Sequence, residues 1–413
     1  MRQTRSSGAS VCLMVFACTI AGMCAPAQAA TWLVDDDAVG GDGQSWEAAF
    51  CDLQDALNVV VPGDQIWVAA GTYRPSGLAE PNTPRSATFQ LLNGVAIYGG
   101  LAGIEDPQTF DLSARDFAAN ESVLSGDLYD NDTDEFDPWH PTLLENCFHV
   151  VTGSGTDPTA VLDGFTITAG HAKGDDTTDV HQRRGGGMYV YWGEPTLANL
   201  TFRGNVGRCG AGLAGMNAGA GATLLDCRFE DNWSRSYGGG VCCCEGDITL
   251  VDCTFQANAT DGYGGGLVVR GDSDPSLANC RFYGNAAVGE GGGVSTIYGY
   301  PTLTNCVLSG NTAVVGGGFR TFQGHATLVN CTLSGNSATY GSGVENNGGD
   351  IELHGCILRN GGDEIWHSGG ARTIVQFSNI QGSYPGTGNI DADPLFADVD
   401  GADNILGTDD DDL

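Results

Sequence analysis

Lysine is almost missing from this 413-residue chain, and basic residues as a class are scarce. Lys and Arg together number 17 against 51 Asp and Glu, for a formal net charge of −34. A surface so acidic repels phosphates and anionic lipid, which excludes nucleic acid as a partner and favours cations, or glycans reached through bound cations. Proline is limited to 14 residues with no G-X-Y period, which excludes collagen. Beyond the first 29 residues no apolar run is long enough to span a membrane. Several enzyme signatures are also missing. The chain has no P-loop, no H-E-x-x-H, no G-x-S-x-G and no C-x-x-C, which removes ATP-dependent, zinc-protease, esterase and thioredoxin-like chemistry. One G-x-G-x-x-G, Gly210 to Gly215, has no βαβ context and falls on a repeat corner.

What the chain does have is glycine, 64 residues of it, beside an apolar share of 41% that suffices for a core. The N-terminus reads as a secretory signal. Arg2 and Arg5 precede an apolar run from Val11 to about Ala25, and Ala27-Gln28-Ala29 supplies the cleavage site. A lipoprotein-type site at Cys18 or Cys24 lacks the usual leucine three residues upstream. Residues 1–29 are therefore assigned to a signal peptide, and every acidic residue lies beyond it.

Glycine clusters begin at Gly185, Gly210, Gly238, Gly264, Gly291, Gly316 and Gly341, in steps of 25 to 28 residues. Each is followed by a short apolar strand, a polar turn and a second strand with a fixed ending. That ending runs Asn199-Leu200-Thr201-Phe202, Asp226-Cys227-Arg228-Phe229, Asp252-Cys253-Thr254-Phe255 and Asn279-Cys280-Arg281-Phe282. It continues through Cys306, Cys331 and Cys356, each followed two residues later by Leu. An asparagine stands three residues past the Phe or Leu at Asn205, Asn232, Asn258, Asn285, Asn311 and Asn336. Alternate strand residues face one way, so stacked coils about 4.8 Å apart would place Cys over Cys, Phe over Phe and Asn over Asn. The asparagines are expected to accept left-handed backbone as well as to bond along the stack, and the glycines to turn the corners.

A repeat of this kind specifies a single-stranded parallel β-solenoid, right-handed by the chirality of parallel crossovers. Leu200 fills the cysteine slot, so the six ladder cysteines are read as buried thiols and not as a disulfide framework. Cys242-Cys243-Cys244 lies on a strand that splits the three between two faces. Metal binding there is weighed and set aside, because no second Cys/His pair at zinc spacing accompanies it. Ahead of the repeats, residues 65–184 read as less regular coils with two loop insertions, and Phe165 and Ile167 fall in the Cys and Phe/Leu registers. In residues 30–64, Trp46, Ala49, Phe50, Leu53, Ala56, Leu57 and Val60 fit one helical face. Ser45 would cap that helix, Pro62-Gly63 would stop it, and it would cover the open end of the solenoid. Residues 185–390 hold the regular repeats and 391–413 an acidic tail.

Phe202-Arg203-Gly204-Asn205 and its fellows match the F-x-x-N signature of polymorphic outer membrane protein repeats, and the Gly-Gly-Gly-apolar clusters match their G-G-[AIL] partner. The stretch from Gly43-Gln44-Ser45-Trp46 through Pro62-Gly63-Asp64-Gln65-Ile66-Trp67-Val68 resembles secreted bacterial proteins of the pectin-lyase-like superfamily. The resemblance covers most of the mature chain and implies a right-handed parallel β-helix. It says little of activity, since that superfamily mixes lyases, hydrolases and adhesins. Relatives continue where this chain stops, on Gly407 to Leu413, which implies an incomplete reading frame or a missing anchor.

Chemistry is sought in the insertions and the tail. The first insertion, Asp127 to Asp137, carries D-x-D-x-D at Asp130, Asp132 and Asp134, oxygen ligands suited to calcium. The tail has a similar cluster, D-x-D-G-x-D at Asp398, Asp400 and Asp403, whose spacing resembles extracellular calcium loops. Glu135 stands where an EF-hand needs glycine. The second insertion, His171 to Arg184, holds the chain's only lysine, Lys173, with Asp175, Asp176, Asp179, His181, Arg183 and Arg184. A polysaccharide lyase needs calcium to acidify the proton beside a uronate carboxylate and an Arg or Lys to remove it, roles open to Lys173, Arg183 and Arg184. A hydrolase would need Asp175, Asp176 and Asp179 to converge. Solvated loops of mixed charge are the bland alternative for both. The sequence therefore reads as an exported, non-catalytic β-helix. It would meet a polysaccharide, a cell-surface glycan or a surface protein, with calcium as candidate cation, no organic cofactor and no membrane segment in the mature chain. The alternative is a calcium-dependent polysaccharide lyase, with a glycoside hydrolase behind it.

Overall fold

The computed structural model describes residues 29–133, 136–174, 179–216, 221–396 and 403. The chain winds as a right-handed parallel β-helix. Each regular coil contributes one strand to each of three long parallel sheets. In one coil these are Met188–Tyr191, Thr196–Ala198 and Thr201–Arg203. The twelve-stranded sheet runs from Thr31–Val34 to Arg372–Gln376, the eleven-stranded sheet from Gly71–Tyr73 to Asn379–Ile380, and the ten-stranded sheet from Phe89–Gln90 to Ile365–Ser368. A fourth sheet of five short strands, His171–Ala172 to Ala286–Ala287, lines the corner over the middle coils. Among the described residues no helix is long and apolar enough to cross a membrane.

The ladders lie where the sequence places them. Phe202, Phe229, Phe255 and Phe282 are fully buried, with ring centroids 4.8, 4.8 and 4.5 Å apart and planes within 12° of parallel. That spacing is the strand spacing itself, so one residue choice per coil fills the core. Each such side chain contributes about 1.5–3 kcal/mol by leaving water. Ile167 and Leu308 extend the Phe column at either end. The six ladder cysteines are free and buried, and their thiols point at backbone carbonyls, as Cys253 does to Val251 at 3.4 Å and Leu224 at 3.6 Å.

Two backbone assignments change. Left-handed backbone falls on the residues before Leu200 and the six ladder cysteines (Asn199, Asp226, Asp252, Asn279, Asn305, Asn330 and Gly355) and not on the interior asparagines. The interior asparagines instead sit one residue after a left-handed position, such as Gly204 or Asp231, and spend their amides on the stack. Among the glycines, the first of each cluster takes positive φ, while the third makes room. A Cβ on Gly266 would stand 2.8 Å from both the Gly293 carbonyl oxygen and the Phe282 ring.

The expected N-terminal helix is also shorter than its pattern. A 3₁₀ turn, Trp46–Ala48, is capped by Ser45, and a separate helix, Leu53–Leu57, is capped by Asp52. Between them Phe50 pairs with the first strand, donating to the Leu33 carbonyl and accepting from Asp35, which forces extended backbone through the predicted helix. Leu53, Ala56 and Leu57 still plug the core against Val34, Ile66 and Val68.

Candidate functional site

The eleven-stranded sheet turns Ile167, Phe202 and Phe229 inward, so their neighbours face out. In register these are Thr166, Thr201 and Arg228, then Thr168, Arg203 and Glu230. Two long connections, residues 102–121 and 126–146, rise beside this face. Between them lie two adjoining clefts of about 400 and 350 Å³ that share Arg203. One is walled by Asp132, Phe136, Asp137 and His140, the other by Phe117 and Glu121. Charges on the floor are paired. Arg203 lies 3.6 Å from Glu121, which also accepts from Thr166 Oγ1 at 2.6 Å, and Arg228 Nε meets Glu230 at 2.6 Å. Burial, and then Glu230, raises the Asp231 carboxyl, while Arg203 opposes the shift.

A carboxylate cluster closes the root of the first insertion. Asp127, Asp132 and Glu145 bring oxygens within 4.8 Å of one another. Asp127 is buried and accepts from the backbone of Asn131 at 2.9 Å and of Asp132 at 3.0 Å. Asp132 Oδ2 accepts from Asn146 Nδ2 at 2.7 Å. Asp132 Oδ1 and Asn146 Oδ1 are buried without a hydrogen-bond donor. Burial, reinforced by Asp127 and Asp132, pushes the Glu145 carboxyl up to about 7. Oxygen-only donors left unsatisfied in a buried cluster fit a hard divalent cation.

The residues expected to bind calcium are not brought together as a set. Asp132 joins Asp127 and Glu145, whereas Asp130 pairs with Arg74. Asp134, Asp398 and Asp400 lie outside the described residues, and Asp403 is exposed. Glu145 is not found from sequence because twelve residues separate it from Asp132, and no spacing rule connects them.

The two insertions meet through Lys173. Its amine donates to the Pro138 carbonyl at 3.1 Å and lies 2.9 Å from the centre of the Trp139 ring and 5.0 Å from that of Trp233. Burial, then Arg235, lowers this amine to about 8, with Asp261 and Asp137 opposing. Arg183 and Arg184 line a different cleft with Arg208, Cys209, Tyr237 and Arg270. Asp179 accepts from the His181 backbone at 2.8 Å, and Asp175 and Asp176 lie outside the described residues. The basic residues offered as alternative bases are therefore divided between two clefts.

No curated protein matches the chain in sequence. Residues 179–358 match the family model described as right handed beta helix region. Among solved structures, the pectate lyase Pel9A is similar over 91% of this chain and 84% of its own, at 15% identity and a TM-score of 0.52. A rhamnogalacturonan lyase covers 80% of this chain and 74% of its own at 13% identity, with a TM-score of 0.40. At these identities the likeness speaks to architecture alone, and in architecture this chain is a right-handed parallel β-helix.

Proposed function

We propose that the protein is an exported glycan-binding β-helix that holds a polysaccharide in the groove over the eleven-stranded sheet and is assisted by a calcium ion at Asp127, Asp132 and Glu145. One observation carries this reading: an open groove floored by Thr166, Thr168, Thr201, Arg203 and Glu230 runs across successive coils. Hydroxyls, a guanidinium and a carboxylate on successive coils suit a chain of hydroxylated units, and Phe117 and Phe136 offer apolar walls for sugar faces. A divalent ion would let this acidic surface accept a uronate carboxylate. The test is titration calorimetry of the mature protein against polygalacturonate and neutral glycans, with calcium and with chelator. Retention that falls at least tenfold in Arg203→Ala supports the groove, and retention unchanged by that substitution removes it.

A second reading is a calcium-dependent polysaccharide lyase, favoured by the lowered Lys173 amine on the insertion that packs against the acidic loop. The pectate lyase with the same architecture makes polygalacturonate the first substrate to try. Against it stands the engagement of Lys173 with Trp139 and Pro138. Unsaturated product that forms with calcium and disappears in Lys173→Ala would replace the binding-only reading.

A further inference from the structure

Cys242 and Cys244 alternate on the strand Val241–Cys244 and turn to the outer face of the ten-stranded sheet, leaving Cys243 in the core. The chain that turns the corner at Gly210 brings Cys209 over them. Cys209 Sγ lies 2.8 Å from Cys242 Sγ, which lies 2.9 Å from Cys244 Sγ, and all three thiols are buried. Met216, in register with Cys244 in the neighbouring coil, is buried on the same face.

Two observations separate this trio from the ladder cysteines. The ladder thiols donate to backbone carbonyls, whereas among the described residues these three have only one another. Arg270, in register with Cys244, lies over the Tyr237 ring at 3.9 Å, and its buried Nε has no hydrogen-bond partner. It lines two clefts together with Arg184. Cys209 opens to one and Cys244 to the other. Arg184 and Arg270 share both clefts with these thiols, and positive charge placed there favours negative charge on sulfur.

We propose that Cys209, Cys242 and Cys244 form a three-thiolate site for a soft, thiophilic metal ion of the copper(I) class. Soft sulfur ligands select such ions, and a monovalent ion accepts three ligands without a fourth. Binding releases three thiol protons and changes no oxidation state. Three thiolates around a monovalent ion leave two negative charges, matched by Arg184 and Arg270. A Cys209–Cys242 disulfide would use two sulfurs and leave Cys244 without a partner thiol.

The test uses the full chain, purified reduced without oxygen, loaded with copper(I) alone and desalted. One copper per chain is expected, with sulfur-to-copper absorption, three sulfur neighbours by X-ray absorption, and release of protons on loading. Cys209→Ser and Cys244→Ser should lose the metal, while Cys280→Ala in the core ladder should keep it. Arg270→Leu, which leaves all three thiols in place, should weaken retention about 10- to 100-fold. Circular dichroism checks that each variant folds, and if the serine variants fail to fold, Arg270→Leu decides. Less than one copper on the native protein, equal retention in Cys244→Ser or Arg270→Leu, or a Cys209–Cys242 disulfide in the exported protein would each overturn the site. So would preference for zinc over copper(I) in direct competition.

Discussion

Asn336 passes its side-chain amide on to Asn360: Nδ2 donates to the Asn360 Oδ1 at 2.8 Å, and Asn360 donates in turn to Glu364 at 2.6 Å. The interior ladder therefore ends on a carboxylate that satisfies its last amide. Asn360 stands two residues past Leu358, where the other coils place the asparagine three past, and a fixed spacing passes over it.

Breaking the ladder in its middle should be costly. Asn285 Oδ1 accepts from the backbone and side-chain nitrogens of Asn258 at 3.1 and 3.0 Å, and its own amide serves Phe255 and Asn311 at 2.9 Å. Asn285→Ala strands buried donors and an acceptor, each worth about 1–3 kcal/mol. A loss of about 3 kcal/mol or more in denaturant unfolding is expected. A loss below about 1 kcal/mol would mean that water enters and replaces the amide.

Glycine in the third cluster position is there for space. Gly266→Ala would push a methyl into the Gly293 carbonyl and the Phe282 ring and should cost about 1–3 kcal/mol. Gly221→Ala, whose new Cβ would meet nothing closer than 3.6 Å, should fall within about 0.5 kcal/mol of the parent. Equal melting temperatures for the two variants would contradict this account.

Acid should loosen the first coils before the repeats. His171 is buried with its Nδ1 3.1 Å from the Arg85 guanidinium, and burial, then Arg85 and Lys173, push its ring down to about 3. His149 is lowered to about 4, chiefly by burial. Both folded values lie below the unfolded value, so the unfolded chain binds more protons between them. The stability held by the neutral rings is complete above about pH 6.5 and falls with pH, by roughly 3 kcal/mol for each ring at about pH 4. Unfolding free energies from pH 7 to 4 should show this slope, and His171→Gln should flatten part of it.

Architecture was legible because one coil repeats itself, and a side-chain choice made at Phe202 is remade at Phe229, Phe255 and Phe282. The sites were not, because they are built where the repeat is interrupted. Glu145 reaches Asp132 only through the course of a loop, and Cys209 reaches Cys242 only because a glycine corner folds one sheet edge over the next. The predicted helix over 46–60 failed for a related reason: its apolar spacing is real, but the partner strand at Leu33 claims Phe50.

The last prediction concerns the joint between the two insertions. Lys173 ties residues 136–140 to the corner of the helix by one hydrogen bond to Pro138 and by its charge over Trp139, whose ring packs edge-on against Trp233 at 5.1 Å. A partly desolvated cation over an indole contributes about 1–2 kcal/mol, enough to hold a loop and too little to decide global folding. Lys173→Ala should therefore raise the rate of limited proteolysis within residues 128–144 several-fold while shifting the melting temperature little. Because that loop walls the groove with Asp132, Phe136 and Asp137, glycan retention should weaken in the same variant, and Lys173→Arg should recover part of it. Copper(I) retention at the cysteine trio, to which Lys173 contributes no ligand, should be unaffected. If Lys173→Ala leaves cleavage and retention alike unchanged, the lysine is not the latch of this loop, and its lowered amine becomes free for another role.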